Sequence, residues 1–180
     1  MATTGTGSNS RVLVAAASKH GATGEIAAHI AETLRGRGCD VTVVDPAGID
    51  AVDGYDAIVL GSAVYGGHWL ADAKDLADRI AALDPRPAVW LFSSGPVGDP
   101  PKPDEEPVDV AAIVDATTPR GHRVFAGKIT RAELGFAERA IMIAVRAPEG
   151  DFREWDEISD WANGIADALG CAPTGQGSTP

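Results

Sequence analysis

The stretch Arg11-Val12-Leu13-Val14-Ala15-Ala16-Ala17-Ser18-Lys19-His20-Gly21-Ala22-Thr23-Gly24 decides the fold of this 180-residue chain. After Arg11 the first half is apolar with no polar alternation, the pattern of a strand buried on both faces. Such strands belong to parallel sheets covered by helices. The second half breaks that pattern with hydroxyls and glycines. A helix follows, with Ile26, Ala27, Ile30 and Leu34 on one face and Gly36 and Gly38 at its end.

The same alternation continues outward. Val41–Val44 reads as a second strand closed by Asp45-Pro46, and Ala57–Leu60 as a third that stops at Gly61. Trp69, Leu70, Ala73, Leu76, Ala77, Ile80 and Leu83 then recur at helical spacing up to Asp84-Pro85. Ala88–Phe92 is a fourth strand, and Pro100–Pro107 a solvated acidic loop. A short helix is expected from Val108 to about Ala116, and a fifth strand over His122–Gly127. A last helix carries Trp155, Ile158, Ala162, Ile165, Ala166 and Leu169 on one side and stops at Gly170. Strand and helix in turn predict an α/β domain with a mostly parallel sheet.

Residues 11–170 are expected to form this one domain, between a disordered leader (1–10) and a disordered tail (171–180). Lys128 to Arg153 matches no sheet element and is too long for an ordinary connection, so it reads as an ordered insertion with a helical turn or two over Ala137–Val145.

Composition bounds the function. Hydrophobic residues at 44% and charged residues at 23% suit a globular domain rather than a disordered chain or a fibre. Fifteen Lys and Arg against 26 Asp and Glu leave a net charge of −11, which argues against nucleic acid or anionic lipid as a partner. The aliphatic run Ala140–Val145 is far short of the roughly 20 residues of an integral membrane span. Cys39, at a helix-to-strand junction, and Cys171, in the polar tail, read as free thiols in a reducing compartment, which together with the absence of a secretory signal points to a cytoplasmic protein. The four histidines are scattered without metal-ligand spacing.

In doubly wound sheets ligands bind beyond the carboxyl ends of the strands. Three loops with few large aliphatics leave strand ends here: Ser18 to Thr23, Ser62 to His68 and Ser93 to Asp99. In the first, Gly21 permits close backbone approach, Ser18 and Thr23 supply hydroxyls, and the helix that follows favours an anion. Thr23 also reads as an ordinary N-cap. The loop lacks the dinucleotide fingerprint and a Walker Gly-Lys-Ser/Thr, and the strand ends lack a response regulator's acidic residues.

Ser18-Lys19-His20-Gly21-Ala22-Thr23 resembles the phosphate loop of the flavodoxin-like family, with His20 where a hydroxyl residue is usual. The resemblance spans about residues 11–170 and implies a three-layer sandwich around a five-stranded parallel sheet of order 2-1-3-4-5, with FMN as cofactor. It implies that Ser18, Lys19, His20, Gly21, Ala22 and Thr23 wrap the phosphate. Ser62, Ala63, Val64, Tyr65, Gly66 and Gly67 then flank the flavin ring, together with Ser93, Ser94, Gly95, Pro96, Val97, Gly98 and Asp99. Tyr65 is the candidate for stacking on the ring, Trp69 reads as core, and His68 is either a proton relay or a plain loop histidine. The flavin itself carries the chemistry.

Ser62–His68, Phe125-Ala126-Gly127, Trp155–Ala166 and the insertion are similar to the menaquinone-dependent protoporphyrinogen oxidases, a branch of that family. That likeness implies an FMN-dependent oxidoreductase passing electrons to a quinone. Lys128, Arg131 and Arg139, with Arg146 and Arg153, are then candidates for an anionic substrate. The alternative for these cations is pairing with Glu133, Glu138 and Glu149. The alternative function is an electron carrier that docks a protein partner through its acidic face.

Overall fold

The computed structural model describes residues 9–95, 107–130, 132, 134–144 and 149–172, so most of the expected leader and tail lie outside the described residues. Strand β1 (Arg11–Ala17) leads into α1 (Ala22–Gly36), then β2 (Asp40–Val44) and β3 (Ala57–Tyr65). β4 (His68–Trp69), α2 (Ala71–Ala81), β5 (Ala88–Ser94), α3 (Val110–Thr117) and β6 (Gly121–Phe125) follow. The chain continues through β7 (Lys128–Ile129), α4 (Phe136–Ala144), β8 (Gly150–Asp151) and α5 (Trp155–Leu169).

The main sheet runs β2-β1-β3-β5-β6 with every one of those neighbours parallel. Setting aside the two-residue stub β4, that is the expected order 2-1-3-4-5. β1 lies inside the sheet, between β2 and β3, and its alternate residues enter two cores. Val12, Val14 and Ala16 pack with Ile26, Ile30 and Leu34 of α1 and Ile158 and Ile165 of α5. Leu13, Ala15 and Ala17 pack with Leu76 and Ile80 of α2 and Val110 and Ile113 of α3. A strand with apolar neighbours on both sides has no place for polar alternation, which is why its sequence shows none.

Two expected strand ends move outward. β3 does not stop at Gly61 but pairs with β5 as far as Ala63 and with β4 through Val64 and Tyr65. Gly61 marks a close approach instead: a Cβ there would collide with the ring of Phe92. The hairpin turns on Gly66 and Gly67, both left-handed (φ 57° and 81°), as a two-residue turn that continues the strand twist requires. β5 likewise runs on through Ser93 and Ser94. α2 begins at Ala71, because the backbone of Trp69 is taken up by β4. β6 is shifted against the expected fifth strand, starting at Gly121 and ending at Phe125.

The segment from Lys128 to Arg153 holds short strands after all. β7 and β8 pair antiparallel (Lys128 with Asp151, Ile129 with Gly150) as a ribbon outside the main sheet, with α4 between them. Phe136 and Ile143 of α4 are exposed.

The cysteines correct the sequence reading. Cys39 and Cys171 form a disulfide with Cα atoms 5.6 Å apart, tying the end of α1 to the residue that follows the cap of α5. The free thiols that pointed to a reducing compartment are therefore absent, and that argument for a cytoplasmic location falls. His29 of α1 is half-buried against α5. Its Nε2 lies 2.7 Å from Ser159 Oγ and its ring 5.0 Å from that of Trp155. No described helix is long and apolar enough to cross a membrane.

Candidate functional site

From β1 the chain crosses through α1 to β2 on one side and returns to β3 on the other, so strand order reverses between β1 and β3. A reversal of this kind opens a crevice beyond the carboxyl ends of the two strands. The loop after β1 lies at that point. Gly21 is left-handed (φ 84°) and stands at the N-cap of α1, where no side chain caps the helix. The first amides of α1 are thus left for another acceptor, with the positive end of the helix dipole behind them. Nothing stands within 4 Å of where a Cβ on Gly21 would be.

Ser18 supplies the second observation. Its Oγ is buried and has no hydrogen-bond partner, a situation that disfavours the fold by about 1–3 kcal/mol unless a ligand atom completes it. An orphaned hydroxyl beside uncapped amides fits an anionic group such as a phosphate. Thr23 is not the N-cap, a position that Gly21 holds; it lies inside the first turn of α1 and is 2% exposed. Ala22 opens the helix, and its carbonyl accepts from Arg153 Nη1 at 3.2 Å.

The first two candidate loops converge. Lys19 Nζ stands 4.9 Å from the centre of the Tyr65 ring, and the His20 ring 6.1 Å from it, edge to face. Tyr65 is half-buried at the end of β3. The third element arrives beside it: Ala63 pairs with Ser94, and the left-handed Gly95 (φ 83°) donates its amide to the Phe125 carbonyl at 3.0 Å. Pro96, Val97, Gly98 and Asp99 lie outside the described residues.

Other candidates are committed elsewhere. Ser62 and Ser93 are fully buried. Ser62 Oγ accepts from the Leu70 amide and donates to the Ala63 carbonyl, each at 2.9 Å. Ser93 Oγ accepts from Trp69 Nε1 at 2.9 Å and lies 3.0 Å from His122 Nε2. These serines fasten the hairpin to the sheet through their side chains. Ala63 is buried, Val64 half-buried, and Gly66 and Gly67 form the turn beyond them. Trp69 is 2% exposed in the α2 core.

His68, the candidate relay, has Nδ1 at 3.0 Å from Asp109 Oδ1, so one ring nitrogen is engaged. Asp109 also accepts from the Trp69 amide at 3.2 Å and from Lys74 Nζ at 3.3 Å. The His68 hydrogen bond above all, with Lys74 adding to it, holds the Asp109 carboxyl below the usual carboxylate range. Asp109 thus anchors the hairpin to α3, and no motif in the sequence marks that role.

Among the described residues, the cations of the insertion stand on different elements, Lys128 in β7, Arg139 on α4 and Arg153 after β8. Arg153 is a buried clip with a side chain 3% exposed. It forks onto Asp151 (Nε to Oδ1 2.8 Å, Nη2 to Oδ2 2.6 Å), reaches Glu25 at 2.7 Å and covers the Trp155 ring at 4.5 Å. The fork to Arg153, helped by the charge of Lys128, holds Asp151 below its ordinary range, and the same fork raises Arg153. Arg139 is exposed on α4, whereas Arg131 and Arg146 lie outside the described residues.

A cavity of about 560 Å³ lies apart from the crevice, between α5 and the β6 edge, lined by Trp90, Arg123, Trp161 and Ile165 among others. Among the described residues no group of three His, Cys, Asp or Glu is placed to hold a metal.

Comparison with known proteins agrees with this geometry. The sequence model of the flavodoxin domain matches residues 13–156. A flavodoxin from the domain Archaea is 17% identical with a TM-score of 0.62, covering 89% of this chain and 99% of that one. A flavodoxin of Streptococcus pneumoniae is 20% identical with a TM-score of 0.58, covering 89% and 98%. The rubredoxin:oxygen oxidoreductase of Desulfovibrio gigas is 18% identical with a TM-score of 0.62, covering 89% of this chain but 36% of that larger one. At these identities the structures establish a shared fold, and no curated protein matches. With most of its length inside the matched region, the chain belongs to the flavodoxin domain family.

Proposed function

We propose that this protein binds FMN in the crevice between β1 and β3 and works as a redox protein. The observation that carries the reading is the partnerless buried hydroxyl of Ser18 beside the uncapped amino end of α1. Ser18 and the amides after Gly21 would hold the phosphate, and the small Gly21 leaves room for it. Tyr65, with Lys19 and His20 against it, supplies an aromatic wall, and Gly95 a loop backbone able to come close to a planar ring. When bound, the flavin supplies one- and two-electron redox chemistry.

Two uses of such a site differ in what meets the flavin. The net charge of −11 favours a carrier that docks a redox protein through its acidic surface. The insertion favours an oxidoreductase with its own organic substrate, similar in kind to protoporphyrinogen oxidation with a quinone acceptor. Phe136 and Ile143 on α4 are 93% and 75% exposed, with Arg139 on the same helix, and such a surface suits an amphipathic substrate or acceptor.

The visible absorption spectrum of freshly purified protein tests the cofactor, and flavin bands are the expected result. Steady-state assays with protoporphyrinogen and menaquinone analogues separate the two uses. Turnover by the flavin-loaded protein alone supports the oxidoreductase, and turnover only through an added redox protein supports the carrier.

A further inference from the structure

We propose that Arg153, at the closing end of the insertion, is a positioning residue that sets phosphate affinity in the crevice by neutralising Glu25 and holding the first turn of α1. The proposal rests on the FMN reading above. Glu25 lies in the first turn of α1, the helix whose amino end receives the phosphate, and its side chain is half exposed. A bare carboxylate there would repel a phosphate bound to the same amides. Arg153 prevents this from the opposite end of the chain, with Nη1 at 2.7 Å from Glu25 Oε2 and at 3.2 Å from the Ala22 carbonyl.

The guanidinium is held by contacts that leave it little freedom. Asp151 of β8 takes Nε and Nη2 as a two-pronged fork, the Trp155 ring lies against the planar group, and the side chain is almost fully buried. Planar bidentate pairing of this kind is specific to arginine. Arg153 therefore ties the β7–β8 ribbon to the first turn of α1, so that the placement of the ribbon and the affinity for the phosphate are linked.

The test compares FMN with riboflavin, which lacks the phosphate, by fluorescence titration of the native protein and of Arg153→Gln, Glu25→Gln and the double variant. Arg153→Gln leaves Glu25 uncompensated, and FMN affinity is expected to fall about tenfold while riboflavin affinity changes less than about twofold. Adding Glu25→Gln is expected to restore most of the loss. Glu25→Gln alone alters a half-exposed side chain and keeps the buried clip, so it reports even if Arg153→Gln fails to fold. Its expected result is FMN affinity raised a few-fold with riboflavin unchanged. Equal losses for both flavins in Arg153→Gln, no restoration in the double variant, or weaker FMN binding by Glu25→Gln each overturn the proposal. Native protein that binds neither flavin overturns the cofactor reading itself, and this proposal with it.

Discussion

Breaking the Cys39–Cys171 bridge is expected to weaken this fold about as much as a large core truncation. The bond closes a loop of 132 residues, from the end of α1 to the end of α5. In the chain-entropy account, opening a loop of that length frees the unfolded chain by about 5 kcal/mol at 25 °C. Both cysteines are buried, at 5% and 8% exposure, so alanine also leaves small voids. Native contacts between the same elements survive, including Arg37 with Asn163 at 3.1 Å and with Asp167 at 2.5 Å. We expect Cys39→Ala/Cys171→Ala to lose about 3–5 kcal/mol, a large share of the 5–15 kcal/mol typical of a domain. With a urea slope of about 2 kcal/mol per molar, the midpoint falls by about 1.5–2.5 M. Urea unfolding followed by tryptophan fluorescence, with and without a phosphine reductant, is the assay. The reduced native protein should match the double variant, and each single variant should lose nearly as much as both together. An unchanged midpoint on reduction, or two alkylatable thiols in protein purified without reductant, refutes the cross-link.

Four other outcomes are expected. Ser18→Ala should stabilise the flavin-free protein by about 1 kcal/mol, because it removes a partnerless buried hydroxyl, yet weaken FMN binding; thermal melts with and without FMN read both signs. Gly61→Ala should destabilise by about 1–3 kcal/mol through collision with Phe92, measured by denaturant titration, and a neutral result would mean that the ring can move aside. Asp109 and Asp151 have lowered carboxyl values, so their contribution is present above the unfolded value near 3.9 and is lost as pH falls through the folded one. Asp109→Asn should therefore unfold more easily than the native protein at pH 6, with the gap closing toward pH 3. Lys19→Gln should lower the midpoint potential of bound FMN, because a cation against Tyr65 favours the anionic reduced ring; spectroelectrochemistry reads the shift, and an unchanged potential removes Lys19 from the redox account.

The central strands were legible because burial on both faces forces a plain apolar run, and the phosphate loop because Gly21 interrupts that run where a helix starts. The outer ends of β3 and β5 were not legible. Gly61, Ser62, Ser93 and Ser94 have the composition of a loop, but they are strand residues for reasons set by distant partners. Phe92 fills the space of the missing Cβ at Gly61, while the Trp69 indole and the Leu70 amide occupy the serine hydroxyls. In the sequence alone Arg153 is one of a set of candidate substrate cations. Its partner Glu25 is 128 positions away, and helix periodicity carries no information across that distance. The disulfide was hidden in the same way, since spacing alone cannot say that the ends of α1 and α5 are neighbours.

Isothermal titration of FMN into the purified, flavin-free protein tests the central claim most directly. The account predicts a saturable heat at one FMN per chain, reduced for riboflavin and reduced again for FMN with the Ser18→Ala variant. No heat with FMN, in a protein shown by circular dichroism to be folded, would contradict it.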